Sequence, residues 1–196
     1  YDIWGAKWDG LECLRKMALL RNKPDDATHW SQMMDAEGMQ AWMNDRWGKN
    51  GVTNYFGAYD QYLEWSGMAY MRNSWFPEDW ASMMTQTWAM DSVNGFYGTI
   101  PLLTVALKDW DHIYHDFAVV PDGSYMSIIG MYYHHVGNNA NICALNHLKK
   151  YNMRWGIPVA PESYDKNYNI WGDQYSNFNA GKILLILKGI AGLDYS

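Results

Sequence analysis

The sequence predicts an all-α chain folded as a layered helical barrel. Three observations lead there. Apolar residues recur at three- and four-residue spacing along most of the chain. Strand patterns are thin, with Phe117 to Val120 as the clear candidate. The apolar faces are wide, and the last helical pattern is apolar almost all round, as in helices covered on more than one side.

The elements follow in order. Asp9-Gly10-Leu11-Glu12 reads as a capping box, with Asp9 at the N-cap and Glu12 three residues on. It opens a helix with Leu11, Leu14, Met17 and Ala18 on its apolar face, and Pro24 ends it. A second helix is expected from Thr28 to Trp47, with Met39, Met43 and Trp47 at four-residue spacing. Asn50-Gly51 marks a turn, and a third helix runs from Ala58 to Met71. Pro77-Glu78-Asp79 fits the first turn of a fourth, where a missing N–H does no harm. Thr99 and Pro101 suggest a short helix, and Asp122-Gly123-Ser124 a turn. Helices then cover Tyr125 to Val136 and Asn139 to Tyr151. The last runs from Ser176 to Ile190, with Gly192 as its stop.

The 196 residues suffice for one domain with a real core, so residues 1–196 are read as a single helical domain. Hydrophobic residues make up 48%, which excludes a disordered chain. The net charge is −6 and the basic residues are scattered, so neither nucleic acid nor an anionic membrane surface is indicated. The apolar run Ile183 to Leu187 is too short to span a bilayer. Cys13 and Cys143 sit in helical patterns among apolar residues and read as buried thiols. The start at Tyr1-Asp2-Ile3-Trp4 reads as mid-domain sequence, so a piece of a longer chain is expected.

The unusual count is 12 Trp and 15 Tyr. Such rings stack on the CH-rich faces of sugars, and their polar edges hydrogen-bond sugar hydroxyls. Large helical cores also use Trp and Met as filler, and the 13 Met support that plainer use. Against this background stands an acidic segment, Pro161-Glu162-Ser163-Tyr164-Asp165, shortly before the last helix.

Two stretches resemble a known family. Tyr1-Asp2-Ile3-Trp4, then Met39-Gln40-Ala41-Trp42-Met43-Asn44-Asp45-Arg46-Trp47, a turn and Tyr55-Phe56, resemble the hairpin unit of (α/α)6-barrel, or six-hairpin, glycosidases. Glu162-Ser163-Tyr164-Asp165 followed by Tyr175-Ser176-Asn177-Phe178-Asn179-Ala180-Gly181 is similar to the closing segment of glucoamylases, trehalases and processing α-glucosidases. The resemblance implies part of an (α/α)6 toroid, its C-terminal portion, that contacts the remainder of its own barrel or another chain. It implies an inverting glycosidase with Glu162 as general base, Tyr164 and Asp165 positioning the loop, and an oligo- or polysaccharide as partner. No cofactor is implied, and the compartment would be secreted or lumenal.

Inverting hydrolysis needs two carboxyls about 6.5–9.5 Å apart, one ionised and one protonated. Candidates for the acid are Glu64, beside Trp65, and Asp60, between Tyr59 and Gln61. A helix N-terminus would hold Asp60 ionised, which favours Glu64. Both read equally as ordinary helix charges, and Glu162 as a carboxylate capping an exposed turn. Rings expected to contact sugar are Trp4, Tyr59, Trp65, Tyr133, Tyr164 and Trp171, with the His134 imidazole beside them. No metal site is expected: His112 and His115 lack a third ligand at metal-site spacing.

Two other functions stay open. A non-catalytic toroid could serve as a structural or sugar-binding module. A polysaccharide lyase could use Tyr133, His134 and Asn138, although a uronate groove wants more Arg and Lys than Arg154, Lys149 and Lys150 supply.

Overall fold

The computed structural model describes residues 2–35, 37–38, 41, 70–108, 119–155, 161–165, 167–174 and 176–193. These residues are mostly helical, as the apolar periodicity predicts. Helix α1 spans Asp2–Leu20 and α2 Pro24–Met33. A tight turn at Tyr70–Arg72 leads to α3, Glu78–Met84, which widens into a π turn at Thr85–Ala89. Helix α4 covers Pro121–Tyr133 and α5 Gly137–Trp155. Two strands follow, β1 at Pro161–Tyr164 and β2 at Ile170–Gln174. Helix α6, Ser176–Leu184, closes in a π turn at Leu185–Ile190.

The helix ends explain where the punctuation falls. After α1 the Asn22 φ is 54°, a left-handed cap that asparagine tolerates well. Lys23 N–H donates to the Ala18 carbonyl and Asn22 N–H to that of Leu19, both at 2.9 Å. These bonds are the two of a Schellman motif. Pro24 therefore does not end α1; it opens α2, where its missing N–H has no partner to lose. The same motif ends α4. His135 has φ 59°, its N–H donates to the Tyr132 carbonyl, and that of Val136 to Met131. The short joint folds α5 back as the second arm of a helical hairpin.

Helix α4 is the centre. Pro121, Gly123, Ser124, Tyr125, Ser127, Ile128, Gly130 and Met131 are all buried, so neighbours cover it nearly all round. The Tyr70–Arg72 turn, α5, α6 and its π turn pack on it. Its two buried serine hydroxyls are satisfied by backbone: Ser124 Oγ donates to the Leu102 carbonyl at 2.7 Å, and Ser127 Oγ to that of Gly123 at 2.9 Å. The all-round burial expected of the last helix belongs to α4 instead. Helix α6 and its π turn bury Gly181, Leu185 and Gly189 and leave Ile183, Ile186 and Ile190 exposed.

Several local expectations are corrected. Asp9 is not an N-cap, because α1 begins seven residues earlier. The buried face of α1 is Trp8, Leu11 and Ala18, whereas Leu14 and Met17 are exposed. Asp122-Gly123-Ser124 is no turn but the first turn of α4, started by Pro121 at its first position. No helix forms at Thr99 to Pro101. There the chain runs as a buried irregular segment with Ile100, Leu102 and Leu103 in the core. The expected helix from Thr28 to Trp47 is not continuous: it begins earlier, as α2, and stops at Met33, with Met34 and Asp35 non-helical. Helix resumes at residues 37–38 and 41, and the rest of that span lies outside the described residues, as do most of Ala58 to Met71 and residues 117–118.

Candidate functional site

The segment carrying Glu162 is a strand, not a loop. In β1, Ser163 pairs with Trp171 and Tyr164 with Ile170, antiparallel. On the other side Tyr164 exchanges both backbone bonds with Val119, N–H to carbonyl at 2.9 Å one way and 3.3 Å the other. Strand β1 is thus held from both edges at Tyr164. Ser163 and Tyr164 are fully buried.

Between Pro161↔Gln174 and Ser163↔Trp171 the register slips by one. Gly172 and Asp173 there oppose Glu162 alone, and Gly172 has φ 77°. This is a bulge of the glycine type, which bends a strand and re-aims what it faces. The turn between the strands is organised by Asp165. Its Oδ1 accepts from the Asn167 and Asn169 amides, each at 2.8 Å, and its Oδ2 from Asn169 Nδ2 at 3.1 Å. Tyr168 N–H donates to the Asp165 carbonyl, and Asp165 N–H to that of Asn169. A carboxylate that accepts this many local donors is a turn former.

The structure places the predicted residues as follows. Glu162 is in β1, and its side chain lies outside the described residues, as does that of Trp4 in α1. Asp60, Tyr59, Glu64, Trp65, His112 and His115 also lie outside them. Trp171 stands on β2 with 49% of its surface exposed, while Tyr164 is enclosed by the core. Tyr133 ends α4, 51% exposed. His134 follows it at 7% exposure, its ring 5.1 Å from that of Tyr133 and 5.9 Å from that of Phe76. Burial pushes the His134 imidazole below its ordinary range; the Met71 backbone and the Glu78 carboxylate pull the other way. His135, next along, is exposed, so the two histidines do diverge.

Two clusters emerge, and α4 separates them. The hairpin joins the chain just before the N-terminus of α4, through Val119. Tyr133 and His134 sit at its C-terminus. Thirteen helical residues set the two ends of α4 about 20 Å apart. Among the described residues no group of three or more His, Cys, Asp or Glu could hold a metal.

The sequence reading passed over a third feature, the segment from Gly95 to Leu103 that lies between the helices and the hairpin, buried except at Tyr97, Gly98 and the exposed Thr99. His147 of α5 is fully buried and donates from Nδ1 to the Pro101 carbonyl, with the Tyr125 ring tilted against it at 4.8 Å between ring centres. Asn146 Nδ2 donates to the Tyr97 hydroxyl at 2.5 Å. On the hairpin side the Thr99 N–H donates to the Tyr168 hydroxyl at 3.1 Å. Burial pushes the His147 imidazole down to about 4, opposed by the Pro101 carbonyl and helped by the Lys182 cation. The ring is therefore neutral at pH 7, with its proton on Nδ1. The signal available in the sequence was the run Asp165-Lys166-Asn167-Tyr168-Asn169, a turn cluster between two short segments.

No family model matches the chain, and no curated protein matches it. Among solved structures it is similar to a sialidase, with a TM-score of 0.67 at 14% identity. The superposition covers 94% of this chain and 19% of the sialidase chain, so this chain spans about a fifth of that protein's length. At that identity the likeness is one of fold. Among the described residues no helix is long and apolar enough to cross a membrane.

Proposed function

We propose that this chain belongs to a carbohydrate-active protein and that the β1–β2 hairpin is its sugar-facing edge. The observation that carries the reading is Trp171. A large ring, half exposed, stands on a strand whose bulge lies opposite Glu162, and exposed rings on rigid strands are suited to stacking on sugar faces. The fold likeness to a protein named a sialidase, an enzyme class that acts on sugars, supports the same substrate class.

The finer reading is an inverting glycoside hydrolase built as part of an (α/α)6 toroid. Glu162 would draw a proton from water, and Glu64 or Asp60 would supply the acid. A base of this kind must stay ionised near water while its partner keeps its proton. Replacing Glu162 by Gln tests it. Turnover of a nitrophenyl α-glucoside is expected to disappear while binding of a maltooligosaccharide persists. An active Glu162→Gln chain removes Glu162 from the chemistry. The compartment proposed with this reading is secreted or lumenal.

One observation favours a second reading, a non-catalytic sugar-binding or structural module. The chain matches about a fifth of a longer enzyme, and such a portion could carry binding without the reacting groups. Maltooligosaccharide binding without turnover in the unmodified chain would select it. The lyase reading gains no support from His134. Enclosed against Phe76 and Tyr133, that ring offers no open face to a polysaccharide among the described residues.

A further inference from the structure

Tyr168 holds a backbone conformation that tyrosine seldom adopts. Its φ is 60°, in the left-handed region where a β-carbon crowds the backbone. Turn geometry alone asks for glycine or asparagine at such a place. Strain of this kind persists only where the surroundings fix it, and it marks positions where the side chain has another task. Here the task is visible. The Tyr168 hydroxyl accepts the Thr99 N–H, and the approach is close: a β-carbon at position 98 would stand 2.9 Å from that hydroxyl and 2.5 Å from Leu103 Cδ2, so a side chain there would push on both.

The other side of the same segment is fastened to the helices. Its Pro101 carbonyl accepts from His147, its Leu102 carbonyl from Ser124, and its Tyr97 hydroxyl from Asn146. Internally, Leu103 N–H returns to the Phe96 carbonyl at 2.9 Å, closing residues 96–103 into a compact unit. The segment therefore works as a strap, with α4 and α5 on one side and the hairpin tip on the other.

We infer that Tyr168 and His147 are positioning residues, which set the place of the β1–β2 hairpin against the helical layer through the strap at 95–103. This rests on the hairpin being the sugar-facing edge, because only then does its placement govern function. Neither residue is given contact with the sugar. Each acts through the strap, and Asp165 keeps the turn itself in shape.

The test is site-resolved hydrogen exchange on the chain and four variants. Tyr168→Phe removes the hydroxyl and keeps the ring. Tyr168→Gly relieves the backbone but cuts the same link. His147→Phe removes the donor to Pro101, and His147→Gln offers an amide donor in its stead. Losing one net hydrogen bond corresponds to about a tenfold change in a local opening equilibrium. Tyr168→Phe and Tyr168→Gly are expected to speed exchange at the Thr99, Asn167 and Asn169 amides by about that factor, with the α4 and α5 amides unchanged. His147→Phe is expected to speed the hairpin amides likewise, and His147→Gln to restore them in part.

Hairpin amides at their original rates in Tyr168→Phe would overturn the inference. So would a His147→Gln chain whose hairpin exchanges as fast as that of His147→Phe. If His147→Phe does not fold, the two Tyr168 variants decide. Absence of glycoside binding and turnover in the unmodified chain would sink the carbohydrate reading and leave these exchange rates as they are, so the two failures are separable.

Discussion

The Asp9 carboxylate ties α1 to the turn at Tyr70–Arg72: Oδ2 accepts from Arg72 Nε at 2.7 Å, and Oδ1 from Asn73 Nδ2 at 2.6 Å. Beside this pair Trp8 Nε1 donates to Ser74 Oγ at 3.2 Å, and the Trp8 and Trp75 rings meet edge to face. Arg72 is nearly buried, so its guanidinium depends on that carboxylate far more than a surface cation would. Asp9→Ala is expected to lower stability by about 2 kcal/mol, from a stranded donor set. Asp9→Asn keeps an acceptor and loses the charge, and should lie between. Urea denaturation measures both. Equal midpoints for the original and Asp9→Ala chains would show that α1 docks through Trp8 and Leu11 alone.

Acid should loosen the strap region through His147. In the unfolded chain this imidazole has its ordinary value of 6.5, and in the folded chain about 4. Between these values the unfolded state binds the extra proton, so stability rises with pH across the window. It is fully present above about 6.5, falls as pH drops toward about 4, and is gone below. The span corresponds to about 3 kcal/mol. His134 has the same sign, because its pKa is also lowered by burial, with Glu78 and the exposed His135 facing it as titratable neighbours. Carboxylates titrate in the same range, so the measurement is a difference. Stability against pH for the original chain minus that for His147→Gln should slope upward between pH 4 and 6.5. A flat difference would mean that the ring charges without penalty.

The two cysteines should differ sharply in reactivity. Cys13 is exposed on α1, whereas Cys143 is buried and its Sγ lies 3.6 Å from Met90 Sδ. Burial pushes the Cys143 thiol up to about 12, and the thiolate is the reacting form. Its thiolate fraction near neutral pH falls by about a thousandfold relative to an ordinary thiol. Iodoacetamide on the folded chain is expected to label Cys13 and spare Cys143, with both labelled in denaturant. Peptide mass spectrometry reads the sites. Labelling of Cys143 at the rate of Cys13 would contradict the packing of α5 on the core.

The helices were legible because burial on one face leaves a period in the sequence. Gly192, with φ 64°, stops the last helix where its residue type predicts. Pro24 reads as a stop in the sequence and is a start in the fold, because proline breaks a helix and begins one for the same reason, a missing N–H. The hairpin was not legible. Strand β1 is four residues long and buried at both Ser163 and Tyr164, so it shows no alternation. Contacts that join distant segments leave no spacing at all. The bonds of His147 with Pro101 and of Tyr168 with Thr99 belong to the tertiary fold, and so does the left-handed φ of Tyr168. Of the candidate site, the place of Glu162 just before the last helix could be read from the chain. Its setting in a bulged strand, tied to Val119 just before α4 while Tyr133 and His134 stand at the other end of that helix, could not.

Gly172 makes the last test, because it is the residue that lets β2 bulge opposite Glu162. Its φ of 77° suits glycine and disfavours any side chain. Alanine there should cost about 1–2 kcal/mol if the bulge is kept. The strand can also escape by losing the bulge, which would shift the register of Trp171 and Ile170 by one and turn each toward the other face. Ile170 packs against the core, so that escape is opposed by burial. Gly172→Ala is therefore expected to destabilise the chain modestly while Tyr164 keeps its pairing with Val119. A lower urea midpoint with the Tyr164 amide still protected from exchange would show it. An unchanged midpoint would mean that the bulge tolerates a β-carbon and that Gly172 does not hold the strand opposite Glu162 in place.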